Sequence, residues 1–176
     1  HNQDKGLVLF HGRPMVGYAI AAMEPLVSGV LVNANRNKEA YAQFGWPVVA
    51  DQNANFEGPL AGILAAMEFA DTEVLLVMPC DSPLIKTVHL EKMLAARSMS
   101  DADIAVAFDG ERLHPVFLVI KTRLKSSLQE YLASGQRKID RWLGQHATIK
   151  VDFSGEPEVF VNVNTLTELS ALEDKE

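Results

Sequence analysis

Residues 74–83, Val-Leu-Leu-Val-Met-Pro-Cys-Asp-Ser-Pro, constrain this chain more than any other stretch. The unbroken apolar run Val74, Leu75, Leu76, Val77 suits a strand covered on both faces, as in a parallel sheet. Pro79 ends the ladder because it has no backbone donor. Asp81 then stands just past the strand's carboxyl end. In open α/β sheets ligands bind at that rim, so a lone acid there is placed to hold a metal or a magnesium carried on phosphate. The alternative is a cap on the turn or the next helix, since Asp and Pro are ordinary loop residues.

The 176 residues fit one domain, large enough to bury about 70% of its unfolded surface without staples. A hydrophobic share of 48% and a charged share of 22% do not suggest disorder. Cys80 is the single cysteine, which excludes an internal disulfide and any CxxC zinc or redox pair. With no base beside it in sequence, Cys80 reads as a small loop-lining residue rather than a nucleophile. No apolar run reaches the roughly 18 residues needed to cross a bilayer, and the first residues carry no charged-then-apolar signal pattern, so a cytoplasmic protein is expected. Sixteen Lys and Arg against 23 Asp and Glu leave a net charge of −7, which disfavours nucleic acid. Small anionic substrates would need a local site of magnesium, backbone donors and a few basic side chains.

The pattern along the chain predicts a strand at residues 7–10, a helix starting after Pro14 and closed by Pro25, a strand at 29–32, a helix at 38–44 and a strand at 48–50. A helix follows Gly58-Pro59-Leu60-Ala61-Gly62, then the strand at 74–77, a helix at 88–97, and a strand at 104–108 turning through Asp109-Gly110 into a strand at 116–120. Helices at 124–132 and 139–143, strands at 149–153 and 160–163, and a helix at 166–172 capped by Thr165 complete it. This is an α/β chain: one doubly wound, Rossmann-like domain with a mainly parallel sheet and an antiparallel part near its end.

If the strands are parallel, four polar loops emerge at one rim: residues 33–36, 51–53, 80–82 and 162–165. A single Asn or Asp after a strand is a turn former, but the same chemistry after four strands describes a lined crevice. Gly58 to Gly62 adds backbone that can approach a ligand and aims a helix amino terminus at it, or simply supplies a tight turn.

Several motifs carry a resemblance in chain order: Asp4-Lys5-Gly6-Leu7 with Gly12-Arg13-Pro14, Val32-Asn33-Ala34-Asn35-Arg36, Gly58-Pro59-Leu60-Ala61-Gly62, Pro79-Cys80-Asp81-Ser82-Pro83, His114-Pro115 and Val161-Asn162-Val163-Asn164-Thr165. Together they resemble the molybdenum cofactor guanylyltransferases, of the nucleotidyltransferase family with a Rossmann-like, nucleotide-diphospho-sugar transferase type of fold. The resemblance implies transfer of GMP from GTP to molybdopterin with release of pyrophosphate, using Mg2+. It implies catalytic roles for Lys5 and Asp81, with Asp81 as the metal ligand, and nucleotide contacts from Lys5, Asn33, Asp51, Gly58, Gly62 and Asp81. Asn162 and Asn164 would face the substrates, as would Arg137 and Lys138 in a basic loop suited to the pterin phosphate. His114 is expected to hold the hairpin. Apo-molybdoenzymes or other cofactor-biosynthesis proteins are the protein partners the resemblance suggests.

The family opens with a strand and a loop of the type Leu-Ala-Gly-Gly followed by basic residues and Arg-Met-Gly. This sequence starts after that loop, so a strand and loop on the order of 15 to 25 residues are expected ahead of residue 1, and the sheet is expected to lack a central member. The rival activities are cytidylyl transfer to the pterin or nucleotidyl transfer to a sugar phosphate on the same fold. A non-catalytic module that holds a nucleotide or the cofactor for delivery is the reading from another class. No G-x-G-x-x-G follows a strand, which argues against a dehydrogenase.

Overall fold

The computed structural model describes residues 4–162 and Ser170. Its centre is a four-stranded sheet in the order β5 (Val74–Val77), β7 (Leu113–Lys121), β6 (Ile104–Phe108), β8 (Thr148–Asp152). β7 runs against both β5 and β6, while β8 is parallel to β6, so three strands share a direction and β7 opposes them. The local reason for β7 is the tight turn at Asp109-Gly110, where Gly110 has φ +101° and the Asp109 N–H donates to the Arg112 carbonyl.

Successive residues of β6 point to opposite faces, and the two halves of the core follow from that. Ile104 and Val106, with Leu118 and Ile120 of β7, pack under α3 (Pro59–Phe69), α5 (Lys125–Ala133) and α6 (Ile139–Leu143), meeting Leu60 and Trp142. Ala105 and Ala107, with Phe117 and Val119, face α4 (Thr87–Ser98) and meet Leu90, Met93 and Phe153. Both faces being covered explains the unbroken apolar run in β6. Between Val106 and Ala107 the β6–β7 register shifts, and Pro115 falls in the skipped segment, where its missing N–H does no harm.

A second, separate parallel pair joins β3 (Val32–Asn33) to β4 (Val48–Val49), with α1 (Met15–Met23) and α2 (Lys38–Ala42) beside it. Between β3 and β5 lies an apolar slot of about 900 Å3, lined by Ile20 and Met23 of α1, Ile63 and Ala66 of α3, and the facing edges of the two strands. The Thr122 N–H donates to the Glu73 carbonyl, which fixes the antiparallel phase and leaves the amide groups of Val74 and Leu76 facing away from β7. On the other side, Val32 and Ala34 donate to Pro47 and Val49, leaving Leu31 and Asn33 turned toward the slot. Among the described residues no strand pairs with either edge. Val74, Leu75 and Val77 are therefore only half-buried.

The structure departs from the sequence pattern at several places, among them the strand expected at 29–32, which is confined to Val32–Asn33. Lys5–Leu7 forms a 3-10 turn, and only Leu9–Phe10 (β1) is strand, paired antiparallel with Arg13–Pro14 (β2). The strand expected from Phe160 is instead the 3-10 turn Pro157–Phe160, because Pro157 starts a turn that seats Phe160 against Phe153 and stacks it on His114 at 4.1 Å. Val163, Asn164, Thr165 and, apart from Ser170, the helix expected at 166–172 lie outside the described residues. No helix among the described residues is long and apolar enough to cross a membrane.

Candidate active site

Asp81 leaves the carboxyl end of β5 and is half-buried. Burial raises its pKa above the ordinary carboxylate value, and the nearby Lys5 charge pulls it back. Lys5 reaches this place because its 3-10 turn is tied down by the preceding residue. The Asp4 carboxylate accepts hydrogen bonds from the Tyr41 hydroxyl and, at 3.1 Å, from Asn37 Nδ2. Gly6 permits the approach: a Cβ there would stand 2.5 Å from Tyr41 Oη and 3.0 Å from Cys80 Sγ. Burial, then the charges of Asp81 and Asp4, push the Cys80 thiol up to about 12, so at neutral pH it is a protonated lining residue of the slot.

A second group bridges the loops that leave β3 and β4. Asn33 Nδ2 donates to Asp51 Oδ1 and to the Val49 carbonyl, both at 3.0 Å. Asn35 Nδ2 donates to Asp51 Oδ2 at 3.2 Å, and Asn35 Oδ1 accepts from the Asp51 N–H at 2.9 Å. Asn33 also packs on α3, where a Cβ at Gly62 would collide with its Oδ1. Gly58 has a different task. It caps α3 with φ +82° in open space, so the turn needs its backbone freedom rather than its small size.

The slot joins the two groups, since Asn33, Gly62, Tyr41 and Cys80 all line it. Asn162 joins the Asp81 side: buried Ser82 donates to its Oδ1 at 2.5 Å. Arg137 goes elsewhere. Its Nη1 donates to the carbonyls of Leu132 and Gln136, its Nη2 to that of Asn55 at 2.8 Å, and its guanidinium lies 5.4 Å from the centre of the Phe56 ring. Those bonds fasten residues 53–56 to the end of α5, and the neighbouring Lys138 side chain is exposed. His114 Nε2 lies 2.8 Å from Asp109 Oδ2, inside the β6–β7 hairpin.

Asp4, Asn35 and Ser82 fell inside the motifs and rim loops read from the sequence without a role of their own, and Tyr41 was not singled out. Asn33 and Asn35 alternate by two and so share a side of an extended segment, a signal that was available. Tyr41 lies within the helix expected at 38–44 and is buried, which by itself marks no site residue. Among the described residues no three His, Cys, Asp or Glu side chains converge, so there is no preformed metal cage. One desolvated carboxylate beside a lysine at a strand end still fits a hard cation that arrives with substrate phosphates, because such ions use one or two carboxylates and keep phosphate and water oxygens.

The mixed α/β sheet has the nucleotide-diphospho-sugar transferase fold, and the chain is a nucleotidyltransferase, an enzyme type that normally uses a divalent metal. The chain belongs to the family described as MobA-like NTP transferase domain, which matches residues 1–149. It is 47% identical over 162 residues to the molybdenum cofactor guanylyltransferase of Shewanella loihica, covering 92% of this chain and 83% of that one. The enzyme of the same name from Shewanella amazonensis is 45% identical over 170 residues, covering 97% and 87%. Among solved structures, molybdopterin-guanine dinucleotide biosynthesis protein A from Archaeoglobus fulgidus superposes with a TM-score of 0.81 at 19% identity, covering 99% of this chain and 91% of that one. A 2-C-methyl-D-erythritol 4-phosphate cytidylyltransferase from Thermus thermophilus superposes at 0.74 with 18% identity, covering 97% and 93%, and shares the fold.

Proposed function

We propose that this chain transfers GMP from GTP to the terminal phosphate of molybdopterin, releasing pyrophosphate and forming molybdopterin guanine dinucleotide. The observation that carries the reading is the placement of Lys5 beside Asp81 at the end of β5, in a chain whose relatives at 45–47% identity carry that enzyme name. A phosphate monoester oxygen forms the new bond to the α-phosphorus while the bond to the bridging oxygen breaks and pyrophosphate leaves with its electron pair. The attacking monoester has a second pKa of about 6, so it is mostly deprotonated near pH 7 and needs no general base. Lys5 offers positive charge to the triphosphate, and Asp81 would hold magnesium, whose chemistry here is neutralisation of phosphate charge. Asn33 and Asp51 would contact the nucleotide, with Gly58 and Gly62 shaping the start of α3 beneath it. Asn162 and Asn164 would face the pterin. Arg137 would act on the pterin phosphate only by leaving its carbonyl partners, and exposed Lys138 is the better placed of the two.

The test is turnover. With magnesium, molybdopterin and a panel of GTP, CTP and ATP, the expected result is guanine dinucleotide and pyrophosphate in equal amounts from GTP. Preferential turnover of CTP would move the chain to cytidylyl transfer, and nucleotide binding without pyrophosphate would make it a delivery module.

We also propose that a further strand of the polypeptide fills the slot between β3 and β5. Two edges that pair with no strand among the described residues face one apolar space, and such edges are hydrogen-bonding templates for another strand. Hydrogen exchange tests it: the amides of Val74 and Leu76 should be protected in the protein carrying that strand and exchange fast in residues 1–176. Equal exchange in the two would refute the proposal.

A further inference from the structure

We propose that Asn35 is a positioning residue for the nucleotide half of the site, holding the Asp51 carboxylate and the Asn33 amide in one arrangement that Gly62 makes room for. The inference rests on the reading of Asn33 and Asp51 as nucleotide contacts. Asn35 meets Asp51 at two points, accepting from its backbone N–H at 2.9 Å and donating to Oδ2 at 3.2 Å. That two-point contact fixes both the loop and the rotation of the carboxylate, which a single bond would leave free to turn. The other oxygen, Oδ1, is held by Asn33 Nδ2, whose two N–H groups are then both engaged, one on Asp51 and one on the Val49 carbonyl.

With its donors committed, Asn33 has only Oδ1 left to orient, and that oxygen lies over Gly62. Any Cβ at position 62 would collide with it, so the glycine is needed by Asn33 before any ligand arrives. Two consecutive sheet exits and the first turns of α3 are thereby locked through one carboxylate. Asn35 itself does not line the slot, whereas Asn33 does.

Asn35→Ala, Asp51→Ala and the double variant test the idea by two readouts. In the nucleotide-free protein, the side-chain amide resonances of Asn33 should shift in Asn35→Ala, because loss of the bond to Asp51 Oδ2 frees the carboxylate to turn and carries Oδ1 with it. By calorimetry with magnesium GTP, Asn35→Ala should bind about five- to tenfold more weakly, and the double variant no more weakly than Asp51→Ala, as expected for residues acting through one another. Unmoved Asn33 signals, or losses that multiply in the double variant, would overturn the proposal. So would a lowered melting temperature with unchanged GTP affinity, the mark of a loop brace alone. If the parent binds no GTP, the nucleotide reading falls, and a shifted Asn33 signal would still support the bracket itself.

Discussion

Ser82, at 3% exposure one of the two buried polar residues among those described, donates a 2.5 Å hydrogen bond to Asn162 across 80 positions of sequence. It joins the exit of β5 to the segment that follows the Pro157–Phe160 turn. Removing the hydroxyl in Ser82→Ala leaves a small buried void and an Asn162 carbonyl that must turn to solvent. The expected loss is about 1 kcal/mol, a fall in melting temperature of roughly 2–4 °C for a chain of this size. Calorimetric melting checks it, and an unchanged melting temperature would mean that the bond contributes nothing.

Asp81→Asn should separate stability from activity. Burial raises the folded pKa of Asp81, so the folded state favours its proton more than the unfolded state does. Its contribution to stability is then greatest below the unfolded carboxylate value near 3.8 and is lost as pH rises through the folded value. At pH 7 the charged, desolvated group opposes folding. The neutral amide should therefore melt higher than the parent at pH 7, with the gap closing in acid, while dinucleotide synthesis falls at least about a hundredfold, some 2.7 kcal/mol. A rate within about threefold of the parent would remove Asp81 from the metal role.

Lys5→Ala acts on the same carboxylate from the other side. Loss of a charged contact to phosphate, worth about 1.5–3 kcal/mol, should weaken GTP binding by roughly ten- to a hundredfold, with the melting temperature nearly unchanged. Lys5 also lowers the Asp81 pKa, so its removal should move the acid limb of the rate profile to higher pH. Isothermal titration and a pH series of initial rates check the two effects; unaltered affinity would reduce Lys5 to a surface charge.

Arg137→Ala offers a contrast between bracing and binding. The guanidinium bonds three backbone carbonyls and covers Phe56, so the substitution should cost about 1–3 kcal/mol of stability by removing three part-buried or exposed hydrogen bonds together with the ring contact. Arg137→Lys cannot reproduce that fork and should be nearly as damaging. A stable variant with a raised KM for molybdopterin would instead place Arg137 in the pterin site.

How much of this was written in the sequence depends on how local the cause is. β5, β6 and α6 have the bounds their apolar runs and periodicity suggested, because burial of β6 on both faces leaves little ambiguity. β7 begins at Leu113 rather than 116, since the sheet tolerates Pro115 inside a register shift. Phe160 read as strand because Phe160 and Val161 are good strand formers, yet an aromatic cluster with Phe153, Phe117 and His114 decided its conformation. At the site, Asp81 and Asn33 were legible as strand-exit residues. Their partners were not. Asn33 and Asp51 are 18 positions apart, and Ser82 and Asn162 are 80, so only the folded sheet pairs them.

The β6–β7 hairpin lies in the interior of its sheet, with β5 and β8 added on its two outer sides. A pairing closed by a four-residue turn forms with little loss of chain entropy, whereas β5 must find β7 across the whole of α4 and β6. The reversed strand therefore gives the molecule a natural order of assembly, with the hairpin as an early template and β5 as a late arrival. Substitutions in the Asp109–His114 turn should slow refolding, while those in β5 should mainly speed unfolding. The rim that carries Asp81 would take shape only after the hydrophobic centre has already been committed.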